Sequence, residues 1–197
     1  MLYTKDRNLL NIFSRANGVA VLALAVVGSI FVPTPTSAGR HARTPSTGLR
    51  NIAFAKPAPD FEFDSGDGPM HLAALAGRPV VLSFWATWCE PCRAELPALG
   101  RLRSTYGDAV SLLTISDEPA GRARAFLAQQ HLVLPVVEDP ERKIFQAYSI
   151  TPIPVTLVLL ADGTVSYVSV GETSWDELAS AISAALISRA PSAAQAQ

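Results

Sequence analysis

The sequence predicts an α/β fold with a mixed central sheet flanked by helices. Three observations carry that expectation. A continuous β-rich run, Val80–Trp85, is apolar on both faces. Such runs then alternate with helix-length segments, and two further strand-like runs joined by a turn signal precede a last helix. Val80–Trp85 reads as a buried central strand because a strand covered on both sides loses its polar alternation. Cys89 to about Tyr106 reads as a helix with Leu96, Leu99 and Leu102 on one side, and Pro97 inside it should kink it. Ala109–Ile115 is a second buried strand, Pro119 opens a helix to about Gln130, Pro135–Val137 is a short strand and Glu141–Tyr148 a short helix. Val155–Leu160 and Val165–Val170 are strands joined by Ala161-Asp162-Gly163-Thr164, where Asp-Gly signals a hairpin. Ser174 caps the last helix, and Glu177, three residues on, completes a capping box.

Composition bounds the function. The chain has 197 residues, 49% hydrophobic and 17% charged, which permits a real core and excludes a disordered protein. A formal net charge of −1 hides an asymmetry: residues 1–56 carry 7 Lys or Arg against Asp6 alone, and residues 57–197 carry 9 against 16 Asp or Glu. A globular part that acidic is a poor nucleic-acid binder, since phosphate contacts need clustered cations. Two cysteines are too few for a disulfide scaffold or, alone, for a structural zinc site.

The N-terminal segment has the order of an export signal. Lys5, Arg7 and Arg15 precede an apolar run from Gly18 to Val32, Pro33 and Pro35 end it, and Thr36-Ser37-Ala38 offers small residues for cleavage. The run is about 22 Å of helix, short for a permanent span. Residues 1–38 are therefore a cleaved signal peptide or an N-terminal membrane anchor through residues 18–32, and the two stay open. Residues 39–56, rich in Pro, Thr, Ser, Gly and Arg, read as a flexible linker, 57–188 as the folded domain and 189–197 as a disordered tail.

The chemistry is expected at Trp88-Cys89-Glu90-Pro91-Cys92. Both cysteines of the chain lie three apart where a buried strand ends and a helix begins. A helix N-terminus presents free N–H groups and the positive end of the dipole, which favours a Cys89 thiolate. Cys92, one turn inward, can attack the mixed disulfide and release product. Pro91 stiffens the turn at a position whose N–H is not needed. A structural disulfide closing so small a loop gains little stability, and His41, His71 and His131 show no ligand spacing to the pair, so no metal site is expected. Glu95, three residues after Cys92, shares its helical face; if buried, its raised pKa lets it accept the Cys92 proton, and if solvated it is a plain surface acid. Glu90 places a negative charge beside Cys89 and so opposes its thiolate, which argues for a reductant rather than a disulfide-forming oxidase.

These residues resemble a known family. Ala58-Pro59-Asp60-Phe61, Leu75-Ala76-Gly77-Arg78-Pro79, Phe84-Trp85-Ala86-Thr87-Trp88-Cys89-Glu90-Pro91-Cys92 with Glu95-Leu96-Pro97 after it, Thr151-Pro152-Ile153-Pro154 and Asp162-Gly163 are together similar to the TlpA/ResA group of exported thiol–disulfide oxidoreductases in the thioredoxin-like superfamily. The resemblance implies a thioredoxin-like fold and a redox-active Cys89–Cys92 disulfide with no further cofactor. It also implies that Glu95 is the proton acceptor and that Pro154 is a cis proline facing the disulfide, where the residues alone leave cis and trans open. Trp88, Glu90, Pro91, Ile153 and Pro154 are then the substrate-contacting residues. Two positions depart from the pattern: Val155 stands where the family often has Thr, and Ser83 stands where thioredoxins carry a buried acid and these relatives often Asn.

The expected partners are a disulfide-containing exported protein such as an apocytochrome awaiting haem, and a membrane thiol donor, with no nucleic acid and a monomeric chain. The expected location is the periplasm or the outer face of the cytoplasmic membrane. Two other functions suit the same fold. A copper-site assembly factor could use the paired thiolates on Cu(I). A thiol peroxidase with antioxidant activity wants Thr three residues before its reactive Cys, whereas Thr87 is two before Cys89.

Overall fold

The computed structural model describes Leu49 and residues 51–188. The expected signal or anchor at 1–38, most of the expected linker and the tail at 189–197 lie outside the described residues. Among the described residues, seven strands and four α-helices follow in chain order: β1 Glu62–Asp64, β2 Pro69–His71, β3 Val80–Trp85, α1 Glu90–Tyr106, β4 Ser111–Ser116, α2 Arg122–Gln129, β5 Val136–Glu138, α3 Lys143–Ala147, β6 Val155–Leu159, β7 Val165–Val170 and α4 Trp175–Ser188. Five strands form the main sheet in the order β5-β4-β3-β6-β7. β3 runs parallel to β4, and β4 to β5, while β6 is antiparallel to both β3 and β7. This is the mixed sheet that the element order implies.

Each strand's place follows from its pattern. β3 is central and all six of its residues are buried. Its even positions, Val80, Leu82 and Phe84, face a cluster with Phe61, Phe63, Ile144, Phe145 and Tyr148. Its odd positions Val81 and Trp85 face a second cluster built from α1, α2 and α4, which also holds Cys89 and Cys92. The sheet thus separates an aromatic layer from a layer of leucines, and the cysteines belong to the latter. The turn after β6 forms as its sequence signals: Gly163 takes φ 82°, and Asp162 Oδ1 accepts the Thr164 N–H at 2.9 Å. At α4, Ser174 Oγ accepts the Glu177 N–H at 3.3 Å while Glu177 Oε2 accepts the Ser174 N–H at 3.1 Å, the reciprocal pair of a capping box.

Pro97 lies inside α1, where the sequence placed it. The structure differs from the sequence expectation in three places. The helix expected from Pro119 begins at Arg122, because Pro119 instead accepts the Arg122 N–H in a turn. The small antiparallel pair β1–β2 has no counterpart in the expected elements; it spans the Asp64–Gly68 turn, and Gly66 and Gly68 supply its positive φ values of 93° and 125°. Finally, the packed chain begins upstream of residue 57. Leu49 is buried in the aromatic layer and Ile52 packs against it. Asn51 Nδ2 donates to Ala147 O at 3.1 Å, and the Ala55 N–H donates to Val165 O at 2.9 Å.

Candidate functional site

β3 ends at Trp85, and a four-residue turn, Ala86 to Cys89, delivers the chain into α1. Cys89 is the N-cap of α1, with extended backbone at φ −84° and ψ 109°, and Pro91 lies in the first turn. Cys89 and Cys92 form a disulfide with a Cα–Cα distance of 5.2 Å. The Cys92 N–H points at Cys89 Sγ at 3.2 Å, so a free backbone donor of the helix end is aimed at the sulfur. After reduction that donor and the helix dipole favour the thiolate at Cys89. Glu90 acts in the opposite sense, but its side chain is exposed and solvent screens it. Cys89 keeps 5% of its surface and Cys92 only 1%. The order of accessibility is the one expected, although Cys89 is far more covered than a bare helix start. Beside it Trp88 is 67% exposed, and Pro91 is exposed as well.

Glu95 is fully inside, at 1% exposure. It stands three residues after Cys92 on α1, so the two buried side chains are neighbours on one face. Burial raises its pKa from 4.5 to about 7, because an ionised carboxylate loses its water there. The Thr156 hydroxyl, donating to Oε1 at 2.6 Å, pulls the value back, the nearby Thr173 hydroxyl does the same more weakly, and the Glu172 charge adds a small upward push. Glu95 Oε2 and Thr173 Oγ1 are nevertheless both buried without a partner of normal hydrogen-bond geometry. Ser83, at the position of the missing acid, is buried with its own hydroxyl unpartnered, and its cross-strand neighbour is Thr156. The carboxyl therefore reaches the sheet from α1 rather than growing out of β3. Sequence reasoning missed Thr156 and Thr173, which lie on β6 and before α4; only a three-dimensional arrangement places them beside Glu95.

The Ile153–Pro154 peptide bond is cis. Pro154 is buried and lies one residue beyond the Phe84–Val155 pair, which puts it beside the end of β3 from which the turn to Cys89 departs. Ile153 is partly buried and packs on the cluster that contains Cys89 and Cys92. Among the described residues no backbone hydrogen bond uses its N–H or C=O, while Pro154 O accepts the Gly171 N–H at 2.9 Å. Ile153 thus joins the cysteines, and Trp88, Glu90 and Pro91 form the exposed surface next to them. No group of three or more His, Cys, Asp or Glu is placed to hold a metal ion among the described residues.

Comparison with known proteins agrees with this geometry. A family model described as the AhpC/TSA family matches residues 54–168. The thiol-disulfide oxidoreductase ResA of Bacillus cereus is 33% identical over 130 residues, which are 64% of this chain and 75% of that protein. The thioredoxin-like protein YneN of Bacillus subtilis is 32% identical over 132 residues, 64% of this chain and 77% of that one. Among solved structures, a putative thiol:disulfide interchange protein DsbE from Chlorobium tepidum superposes with a TM-score of 0.63 at 29% identity, covering 68% of this chain and 99% of that one. The matched stretch contains the mixed sheet of a thioredoxin-like fold and the helix start that carries both cysteines. On these grounds the chain belongs to the AhpC/TSA family and is a thiol–disulfide oxidoreductase of the ResA type.

Proposed function

We propose that this oxidoreductase works outside the cytoplasm as a reductase of selected protein disulfides, with cytochrome c maturation the favoured setting. The observation that carries the exchange chemistry is the buried Glu95 carboxyl on the helical face of Cys92, whose pKa of about 7 suits proton exchange at neutral pH; the reductive direction rests on the Glu90 charge next to Cys89. The Cys89 thiolate attacks one sulfur of the substrate disulfide, forming a mixed disulfide and releasing the other substrate sulfur as a thiolate. Glu95 takes the Cys92 proton, and Cys92 attacks Cys89 Sγ. The substrate leaves as a dithiol, having gained two electrons, and Cys89–Cys92 becomes the disulfide. A membrane thiol donor restores the pair. Trp88, Glu90, Pro91, Ile153 and Pro154 are the proposed substrate contacts, with the free backbone of Ile153 available to an extended peptide. Export rests on the basic, apolar and small-residue order of residues 5–38, which fits either a cleaved signal or an anchor at 18–32. The chain acts as a monomer with no resident cofactor. The peroxidase reading has less support, since the Thr87 hydroxyl is already committed to Glu118 at 2.7 Å.

The test is capture. Cys92→Ser leaves the mixed disulfide unresolved, so an exported protein with paired cysteines, such as an apocytochrome, is trapped on Cys89, and Cys89→Ser traps nothing. The equilibrium potential against dithiothreitol is expected near thioredoxin's, at about −270 mV. A strongly oxidising potential, or capture by Cys89→Ser alone, overturns the reading.

A further inference from the structure

Within the turn that presents Cys89, the Cys89 N–H donates to Ala86 O at 3.2 Å. The firmer hold comes from the segment that follows β4. The Thr87 N–H donates to Glu118 Oε2 at 2.6 Å and the Thr87 hydroxyl donates to Oε1 at 2.7 Å. Glu118 follows the end of β4 and is only 6% exposed. Its other contacts are Arg122 Nε, 3.1 Å from Oε1, and the Ser116 hydroxyl, 3.4 Å from Oε2. A carboxylate is expensive to bury unless each oxygen is satisfied, and here each one is. Two bonds to one residue also fix orientation, where a single bond leaves a hinge. The residue they fix lies directly before the exposed Trp88 side chain and two before the sulfur that opens the reaction.

We propose that Glu118 is a positioning residue for thiol–disulfide exchange: by gripping Thr87 through both carboxylate oxygens it holds Trp88 and Cys89 in one orientation toward an incoming protein disulfide. Attack on a disulfide needs the sulfur in line with the bond that breaks, and misplacement by about 1 Å can cost on the order of a hundredfold in rate. A protein substrate, docked over Trp88, requires that alignment more than a small, freely rotating disulfide does. Arg122 ties the same carboxylate to the first turn of α2, so the turn is braced by an element that takes no part in the chemistry.

This inference rests on the protein-disulfide reductase reading, and the experiment separates the two. Glu118→Gln, Thr87→Val, Thr87→Ser and the double variant Glu118→Gln/Thr87→Val are made in the full chain and confirmed folded. Reduction of insulin disulfides and of oxidised glutathione is then measured on the reduced protein. In Glu118→Gln and in Thr87→Val, kcat/KM for insulin falls about tenfold, and the double variant is no worse than the worse single, as expected for groups acting as a unit. Thr87→Ser, which keeps both bonds, stays within about twofold of the parent, and so do the glutathione rates of every variant. Amide exchange of Thr87 accelerates at least about tenfold in Glu118→Gln while that of β3 does not change. Additive losses, equal losses on both substrates, or unaltered protection of the Thr87 amide overturn the positioning role. A parent chain that reduces no insulin disulfide sinks the reductase reading instead, and the exchange measurement still decides whether Glu118 holds the turn.

Discussion

Replacing Glu95 by Gln removes one titrating group from the interior while keeping its shape and its acceptor for Thr156. The carboxyl titrates at 4.5 when solvated and at about 7 in the folded protein. Between those values the folded chain binds more protons than the unfolded one, so stability falls as pH rises. The contribution is fully present below about pH 4.5 and is lost as pH passes through about 7. The span from 4.5 to about 7, at about 1.36 kcal/mol per pH unit, amounts to about 3 kcal/mol. Gln carries no such penalty at any pH. Urea unfolding of the oxidised protein, parent against Glu95→Gln, from pH 4 to pH 9, measures the difference directly. The offset at pH 4 reports the packing cost of the amide. From there the variant should gain on the parent by about 3 kcal/mol by pH 8, a shift of roughly 1–3 M in midpoint at the usual urea slope for a domain of this size. Parallel curves across the whole range would refute the assignment of a strained carboxyl to this position, and with it the argument for proton transfer to Cys92.

Thr156→Val removes the hydroxyl that favours ionised Glu95, so the carboxyl should titrate higher still; the pH midpoint of the stability curve moves upward, and an unmoved midpoint shows that the 2.6 Å bond is not shaping the titration. Ser174→Ala breaks the capping box of α4 and should cost about 1 kcal/mol in denaturant unfolding without altering the equilibrium potential, because Ser174 and Glu177 are both exposed and bond to each other; a changed potential contradicts that separation.

The redox pair was legible in the sequence because its signals are local. Cys89 and Cys92 sit three apart at the junction of an apolar strand and a leucine-patterned helix, and a three-residue spacing at a helix start fixes their relation whatever the rest of the chain does. The Asp162-Gly163 turn and the Ser174–Glu177 box are local in the same way, each closing within a few residues. The burial of Glu95 could be named from its spacing only as one of two outcomes. What decided it is Thr156, 61 residues away on a strand antiparallel to β3, together with Thr173 ahead of α4. The grip of Glu118 on Thr87 spans 31 residues and joins a strand end to a turn, and no periodicity announces it. The stretch around Leu49 and Asn51 has the composition of a linker, yet one buried side chain and one amide bonded to the end of α3 attach it to the core. Where the sulfurs are and which elements present them follows from local chemistry, since backbone propensity and short-range hydrogen bonds act within a turn. How acidic the neighbouring carboxyl is and what holds the turn still depend on the assembled fold, since desolvation and bidentate contacts are set by which distant segments the sheet brings together.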